Sequence, residues 1–346
     1  MTTWSEEITL SPEHGPSSLL TDFVKESQRI VKSYAYFNLA FILIGITELT
    51  CCLVFFNLLT RSSLLAFTLA GFLMTLFCYF VLRIYLQNRR PELLLSLSEF
   101  TLEQLKETAK SKKGAVEQKL WIASSLCRLA HYLKDYEYTL YKPKKFFLSL
   151  SYTLEKFGSW LHWEDFHSLK EWLYLQAIEC YIDLIKQKPN NLQFHVGLAN
   201  TYIMLSNIYA TPKKGDPLEE ERWIPEAKFS KTMVKKFTLC AKRAIEEFNI
   251  LNDYNPNDPW VYTQLAYSYH DLQMPQEEIK AYETILTLSP GDVDVYYKLG
   301  ILYFQHGENS KGLRIYENLK SSSPAKAESL IRYYGAYNDE EVLEEV

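Results

Sequence analysis

Residues 259–290 read PWVYTQLAYSYHDLQMPQEEIKAYETILTLSP, and residues 293–324 read VDVYYKLGILYFQHGENSKGLRIYENLKSSSP. The second stretch repeats the first at an offset of 34 residues: Tyr262, Leu265, Ala266, Tyr269, Tyr282, Ile285 and Pro290 return as Tyr296, Leu299, Gly300, Tyr303, Tyr316, Leu319 and Pro324. The chemistry breaks at Glu278, whose counterpart is Gly312. A period of this length denotes a helix–turn–helix unit that cannot bury its apolar face alone and must stack on a neighbour. Leu265 and Tyr269 lie four apart on one helical face, and Tyr282 and Ile285 three apart on the next, which gives each helix an apolar stripe. Ala266 and Gly300 let paired helices approach closely. Pro290 and Pro324 close the second helices, because proline lacks the amide and disfavours helix in the residue before it.

The two units resemble tetratricopeptide repeats, whose pattern runs aromatic, Leu-Gly, Tyr, Ala, aromatic, Pro. Gly307 falls where such repeats place a glycine turn. Glu278 and Gly312 stand where the family has alanine, a departure expected to loosen the packing. The resemblance implies an all-α solenoid whose function is recognition: stacked hairpins form a groove for a peptide or a partner helix.

Upstream of Pro259 the same unit recurs in degenerate form. Ala244, Ile245, Phe248 and Leu251 hold second-helix positions before Pro256, and Ala177, Ile178, Tyr181 and Leu184 do so before Pro189. Leu198, Ala199 and Tyr202 supply a first helix for the Ala244 helix, displaced by an insertion at 211–224 whose Pro, Lys, Gly and Glu content is that of an exposed loop. That loop is either a contact element or a tolerated spacer. The first helix belonging to the Ala177 helix is expected within Phe146–Trp160, and an earlier pair involves Leu120–Leu133. Degenerate repeats thus occupy 91–256 and two clear units 257–324. Residues 325–346 should hold a capping helix, Ala325–Tyr337, and an acidic tail.

The N-terminal part has another character. Residues 1–34 read as a polar leader ending in a helix that starts near Ser17 or Ser18 and carries Lys25, Arg29 and Lys32. Two apolar runs follow, Ala35–Leu59 and Ser63–Leu82, each long enough to cross a hydrocarbon layer of about 30 Å as a helix. With only a tight turn between them, residues 35–86 form an antiparallel transmembrane hairpin. Lys25, Arg29 and Lys32 before it and Arg83, Arg89 and Arg90 after it, against Arg61 alone in the turn, place both termini and the repeats on the cytoplasmic side. Pro91 marks a fresh start, with a separate helix over Leu93–Thr108.

Glu48 sits inside the first run, where a charged carboxylate costs roughly 2.5–3.5 kcal/mol. It is read as a structural or self-association residue, a carboxyl bonded to Thr47, Thr75, Tyr79 or a neighbouring copy, in preference to a proton relay. Ala66, Ala70 and Gly71 offer a small-residue surface for packing within the hairpin or between copies.

The charge balance of −5 gives no support for nucleic-acid binding, and the six cysteines show no C-x-x-C pair or zinc spacing. No phosphate-cradling loop, G-x-S-x-G or H-E-x-x-H is present. In the cluster His162, Trp163, Glu164, Asp165, Phe166, His167, the two histidines are five apart and diverge on a helix, while Glu164 and Asp165 suit a helix start ahead of Leu169. Neither metal nor cofactor is expected.

The chain therefore reads as a non-enzymatic, membrane-anchored adaptor that holds a protein partner at a membrane surface. Family members that clamp a chaperone's C-terminal carboxylate place asparagines just after the Leu-small pair; here those positions are Asn200, Tyr267 and Ile301, and only Asn200 fits. Tyr267 and Tyr297 offer aromatic contacts instead. The paired apolar runs are also similar to the bilobed hairpin of chlamydial inclusion membrane proteins, which implies a secreted bacterial effector. An inner-membrane assembly factor, or a repeat-regulated membrane enzyme or transporter component centred on the hairpin, are the other readings.

Overall fold

The computed structural model describes residues 17–56, 64–141, 151–211 and 224–335, and every regular element among them is helical. In chain order they are α1 (Ser17–Val54), α2 (Leu64–Ala109), α3 (Ala115–Tyr132), the single turn α4 (Tyr136–Thr139), α5 (Ser151–Gln187), α6 (Leu192–Tyr209), a 3₁₀ turn (Glu226–Phe229), α7 (Lys231–Tyr254), α8 (Pro259–Asp271), α9 (Pro275–Leu288), α10 (Val293–Gln305), α11 (Asn309–Ser322) and α12 (Pro324–Ile331). They fall into two compact units, 1–180 with 211–230, and 181–210 with 231–346.

In the first unit α1 runs unbroken from Ser17 into the apolar run, with α2 antiparallel beside it. The two helices change character along their length. Between Tyr36 and Tyr85 large apolar side chains point outward, among them Ile42, Leu53, Phe67 and Phe77, all more than half exposed. Below that stretch each helix narrows to one buried stripe, Phe23, Ser27, Val31 and Tyr34 on α1 and Leu94, Ser98, Thr101 and Leu105 on α2, the three- and four-residue spacing of a helix packed on one side. On α3 the packed face is Ala123, Leu126, Leu129 and Ala130.

Two expectations fail here. Pro91 does not start a new helix, because α2 continues through it to Ala109. The lost amide bond and ring clash are local costs, set against the contacts of Arg90 and the buried Leu94–Leu105 stripe on either side. Nor is there a separate helix ending near Trp160. From Ser151 onward that segment is the front of α5, continuous through Glu164 and Asp165 to the Ala177 positions. Gly158 is a packing residue there, not a breaker: a Cβ on it would lie 2.6 Å from the Glu137 carbonyl oxygen.

In the second unit α6 packs on α7, α8 on α9 and α10 on α11, and α12 closes the series against α10 and α11. The 34-residue recurrence extends beyond the apolar motif to polar detail. Asp258 caps α8 by accepting from the Trp260 amide (2.9 Å), and Asp292 caps α10 by accepting from the Asp294 and Val295 amides (3.0 and 3.2 Å). Asn191 does the same for α6 through the Gln193 amide. The turns inside the hairpins match too. Gln273 and Gly307 both hold left-handed backbone, at φ 55 and 75, and the following amides bond back to the Tyr269 and Tyr303 carbonyls at 2.9 and 2.8 Å.

Leu265, Ala266, Ile285, Leu299 and Leu319 are buried, as are the rings of Tyr282 and Tyr303, whereas Tyr262, Tyr269, Tyr296 and Tyr316 are half-buried. A Cβ on Gly300 would come within 2.7 Å of Leu330 of α12. Pro290 lies just past α9, and Pro324 opens α12. That capping helix stops at Ile331, short of the expected Tyr337, which lies outside the described residues, and a turn brings Tyr334 edge-on to Phe304 (5.6 Å).

The break in the repeat does not loosen the packing. Glu278 faces His270 Nδ1 across 3.2 Å, and the residues 34 further on are Gly312 and Phe304. A Cβ on Gly312 would sit 2.5 Å from the fully buried Phe304 ring. One repeat fills the position with an acid–histidine pair, the next with a ring on a glycine.

Gly312→Ala should therefore destabilise the chain by about 1–3 kcal/mol through overpacking, while Gln273→Gly, which relieves a left-handed non-glycine residue, should stabilise it by about 0.5–1 kcal/mol. Thermal unfolding followed by circular dichroism checks both; equal midpoints for Gly312→Ala and wild type would remove the steric account.

Candidate functional site

Recognition by stacked hairpins requires side chains that project from the packed helices without being consumed by them. On the first helices α8 and α10 and on α12, such groups link one helix to the next. Lys298 Nζ donates to the Tyr267 hydroxyl (3.0 Å) and lies 4.8 Å from the centre of that ring. Tyr297 and Ser329 share a hydroxyl–hydroxyl bond of 3.0 Å, and Lys326 pairs with Asp294 at 2.5 Å. The Lys326 bond holds the Asp294 carboxyl below its ordinary range. The strip thus alternates aromatic rings with cations and one carboxylate, a surface with both apolar area and directional donors.

Of the three residues singled out for partner contact, Tyr267 is exposed, Tyr297 is half-buried and Asn200 is buried within α6 at 3% exposure. Asn200 is therefore not presented at the surface, the placement its clamp-like position implied. No spacing rule pointed to Lys298, because its partner Tyr267 lies 31 residues away on another helix.

Tyrosines on the packed faces serve the fold instead. Burial raises the Tyr282 phenol well above its ordinary range, and burial together with its bond to Glu283 (2.6 Å) does the same for Tyr303. His195 bridges the entry to α6 and the neighbouring α7: Nε2 lies 2.8 Å from the Pro189 carbonyl, to which it donates, and Nδ1 lies 2.6 Å from Glu247.

In the first unit the cluster at His162–His167 lies mid-helix, not at a helix start, and its members part company. Asp165 pairs with Arg90 of α2 (3.0 Å), whose guanidinium also covers the Tyr34 ring of α1 at 4.7 Å. The Tyr141 hydroxyl and His162 Nε2 share a hydrogen bond of 2.8 Å, and His162 Nδ1 faces Asp165 at 3.7 Å. His167 stacks on Trp163 instead (4.5 Å). Nearby, Lys170 pairs with Glu137 at 3.1 Å, and Gln28 of α1 donates to the Tyr136 hydroxyl. These groups tie α5 to the base of the helical hairpin. Burial pushes the Tyr141 phenol up to about 12.

Glu48 accepts from Thr75 Oγ1 across the hairpin (2.6 Å), while Thr47 is turned to the Leu43 carbonyl and Tyr79 donates to Asn38. Ala66, Ala70 and Gly71 are exposed, and a Cβ on Gly71 would meet nothing within 4 Å, so α1 does not pack on this surface. The insertion at 212–223 and the turn at 57–63 lie outside the described residues.

Hairpins recurring every 34 residues, with recurring caps, left-handed turns and small-residue contacts, decide the architecture. The fold is tetratricopeptide-repeat-like. No family profile matches the sequence, and no curated protein matches it. Among solved structures the chain is similar to MamA from Desulfovibrio magneticus, at 12% identity over 70% of this chain and 95% of that one, with a TM-score of 0.30. It is also similar to a thermophilic tetratricopeptide-repeat protein of Thermus thermophilus, at 14% identity over 67% and 96%, TM-score 0.27. A third similar structure is YrrB, described as a tetratricopeptide-repeat protein with an unusual peptide-binding site, at 14% identity over 49% and 89%, TM-score 0.26.

Burial holds the His162 imidazole below its ordinary 6.5, with Arg90 and Lys32 opposing its charge and Asp165 favouring it. As pH falls through 6.5 the unfolded chain takes up a proton that the folded base resists, so stability is full above 6.5 and declines towards the lower folded value. The slope should reach at most about 1.4 kcal/mol per pH unit. Melts at pH 7.5 and 5.5 should show a larger loss for wild type than for His162→Gln; equal losses would place the titration elsewhere.

Proposed function

We propose that the chain is a membrane-anchored adaptor: the α1–α2 hairpin spans a bilayer, and the tetratricopeptide-like unit holds a protein partner beside it without catalysing a reaction. The observation that carries the anchor is the exposure of the apolar runs. The most apolar window of each helix has none of its residues buried, unlike the core helix of a water-soluble protein. A helix about 10 Å across and about 30 Å long presents roughly 1,000 Å² of surface, and two such helices exceed the few hundred Å² of contiguous apolar surface tolerated in water. A bilayer supplies the missing solvent.

Orientation rests on charge. Lys25, Arg29 and Lys32 enter the hairpin and Arg83, Arg89 and Arg90 leave it at the same end, which favours the cytoplasmic face for that end and for the repeats. The Thr75–Glu48 bond satisfies part of a carboxyl that lipid cannot, so Glu48 acts within the hairpin as a structural group. The Ala66–Ala70 surface is left for lipid or for a second copy. Recognition itself is assigned to the strip carrying Tyr267, Lys298 and Tyr297, suited to an extended peptide or a helix with apolar and acidic side chains. Anchoring raises the local concentration of such a partner at the membrane.

Crosslinking in intact cells, followed by isolation of membranes and mass spectrometry, tests both halves. The chain should resist alkaline extraction, and a reproducible protein partner should be lost about tenfold on Tyr267→Ala with Lys298→Ala, the effect of removing one hot spot. Alkaline release would end the anchor reading, and full retention of the partner by the double variant would move recognition away from this strip.

A further inference from the structure

The front of α5 carries an aromatic surface that neither the hairpin nor the repeat strip explains. Tyr152, Phe157 and Trp160 are 49%, 44% and 62% exposed, and Lys156 lies 4.2 Å over the Tyr152 ring. Further along the same helix the next two exposed positions, Glu164 and Ser168, are polar, and Leu175 and Glu179 are exposed beyond them. The outer face of α5 is therefore aromatic over its first turns and polar at the two outward positions that follow.

Contacts to α1 and α2 fix which end approaches the bilayer. Phe166 of α5 meets Tyr136 (5.9 Å), which in turn bonds Gln28. Asp165 meets Arg90, five residues past Tyr85, where the exposed apolar stretch of α2 ends. His162 and Phe157 both meet Tyr141 (2.8 Å and 5.8 Å), over whose ring Lys32 sits at 5.9 Å. Moving along α5 from Phe166 to Phe157, the partners on α1 advance from Gln28 to Lys32, three residues short of the apolar run at Ala35. At a rise of 1.5 Å per residue, Trp160 lies about 7.5 Å and Phe157 about 12 Å beyond Asp165 in that direction. The aromatic end of α5 is thus level with, or past, the place where the hairpin leaves its apolar stretch.

Resting on the reading of α1–α2 as a membrane hairpin, we infer that the first turns of α5 are a second membrane contact. Tyr152, Phe157 and Trp160 enter the headgroup layer of the bilayer that the hairpin spans, with Lys156 among anionic headgroups. The occupant follows from continuity with the exposed apolar surface of the hairpin and from charge: Lys156 and Arg83 outnumber Glu155 at this level, while Glu164 falls on the wet side. Trp and Tyr are the residues enriched at such an interface, where an apolar ring with a polar edge suits both media, and each basic side chain near an anionic surface adds about 1 kcal/mol.

The full chain in vesicles of phosphatidylcholine and phosphatidylglycerol provides the test. Tryptophan emission is compared between lipids bearing a nitroxide at the headgroup and lipids bearing it at the acyl-chain end, for wild type and Trp160→Phe, a substitution at an exposed site. The expected result is headgroup quenching in wild type that exceeds chain-end quenching and is mostly lost in Trp160→Phe. Unchanged headgroup quenching in the variant would place Trp160 in water or against protein, and dominant chain-end quenching would place it in the hydrocarbon; either overturns the inference. Labelling of Cys51 by a water-soluble maleimide, mapped by mass spectrometry, keeps the two readings apart. Shielded Cys51 with failed quenching refutes the α5 contact alone, whereas labelled Cys51 refutes the hairpin reading and this one with it.

Discussion

A two-helix hairpin of this size covers one face of each of its helices and leaves the other bare, so no single repeat is stable until a neighbour lies against it. The second unit depends on that constraint. Ala266 and Gly300 bring backbones close enough for stacking, and Leu330 of α12 fills the space that a Cβ on Gly300 would need. Where the series ends at α12, Leu330 and Ala327 remain buried while Glu328 and Arg332 face outward. Capping the array is a change of polarity on one helix face.

The repeat was legible because its constraints are local and periodic. Leu265, Tyr269, Tyr282 and Ile285 betray helix faces by spacing alone, and the 34-residue return multiplies the signal. Asp258 and Asp292 repeat at the same interval and were readable as caps on the same grounds. What spacing does not reveal is compensation between positions. Glu278 looked like a defect against the family pattern, yet it faces His270 just as Gly312 faces Phe304. The pair changes together because a buried carboxylate needs a donor and a buried ring needs room. Reading either position alone hides the exchange.

In the first unit local signals misled for a different reason. Pro91 and the Glu164–Asp165 pair are sound markers of helix ends when judged on propensity, but propensity is a weak prior against tertiary contacts. Arg90 and Asp165 are 75 residues apart in sequence, and their ion pair, side chains 14% and 6% exposed, fixes both helices through the positions expected to break them. A buried pair of this kind adds little net stability, because desolvation consumes most of the attraction. Its consequence is geometric: once Arg90 is held by Asp165 and Tyr34, α2 cannot turn away at Pro91.

That geometry bears on how the hairpin meets the rest of its unit. Because α1 and α2 pass from the exposed apolar stretch into the packed base without interruption, rotation of either helix about its axis would drag a buried stripe with it. For α1 that means Phe23, Val31 and Tyr34, and for α2 Leu94 and Leu105. Turning such a stripe outward costs about 1.5–3 kcal/mol for each large side chain exposed, which exceeds any gain from rotating a stretch that is apolar all round. The base therefore sets the rotation of the helices in the apolar stretch, and with it the faces on which Glu48 meets Thr75 and on which Ala66 and Ala70 lie outward. An apolar run alone is indifferent to rotation; joined to a one-sided stripe by continuous helix, it acquires a defined front and back.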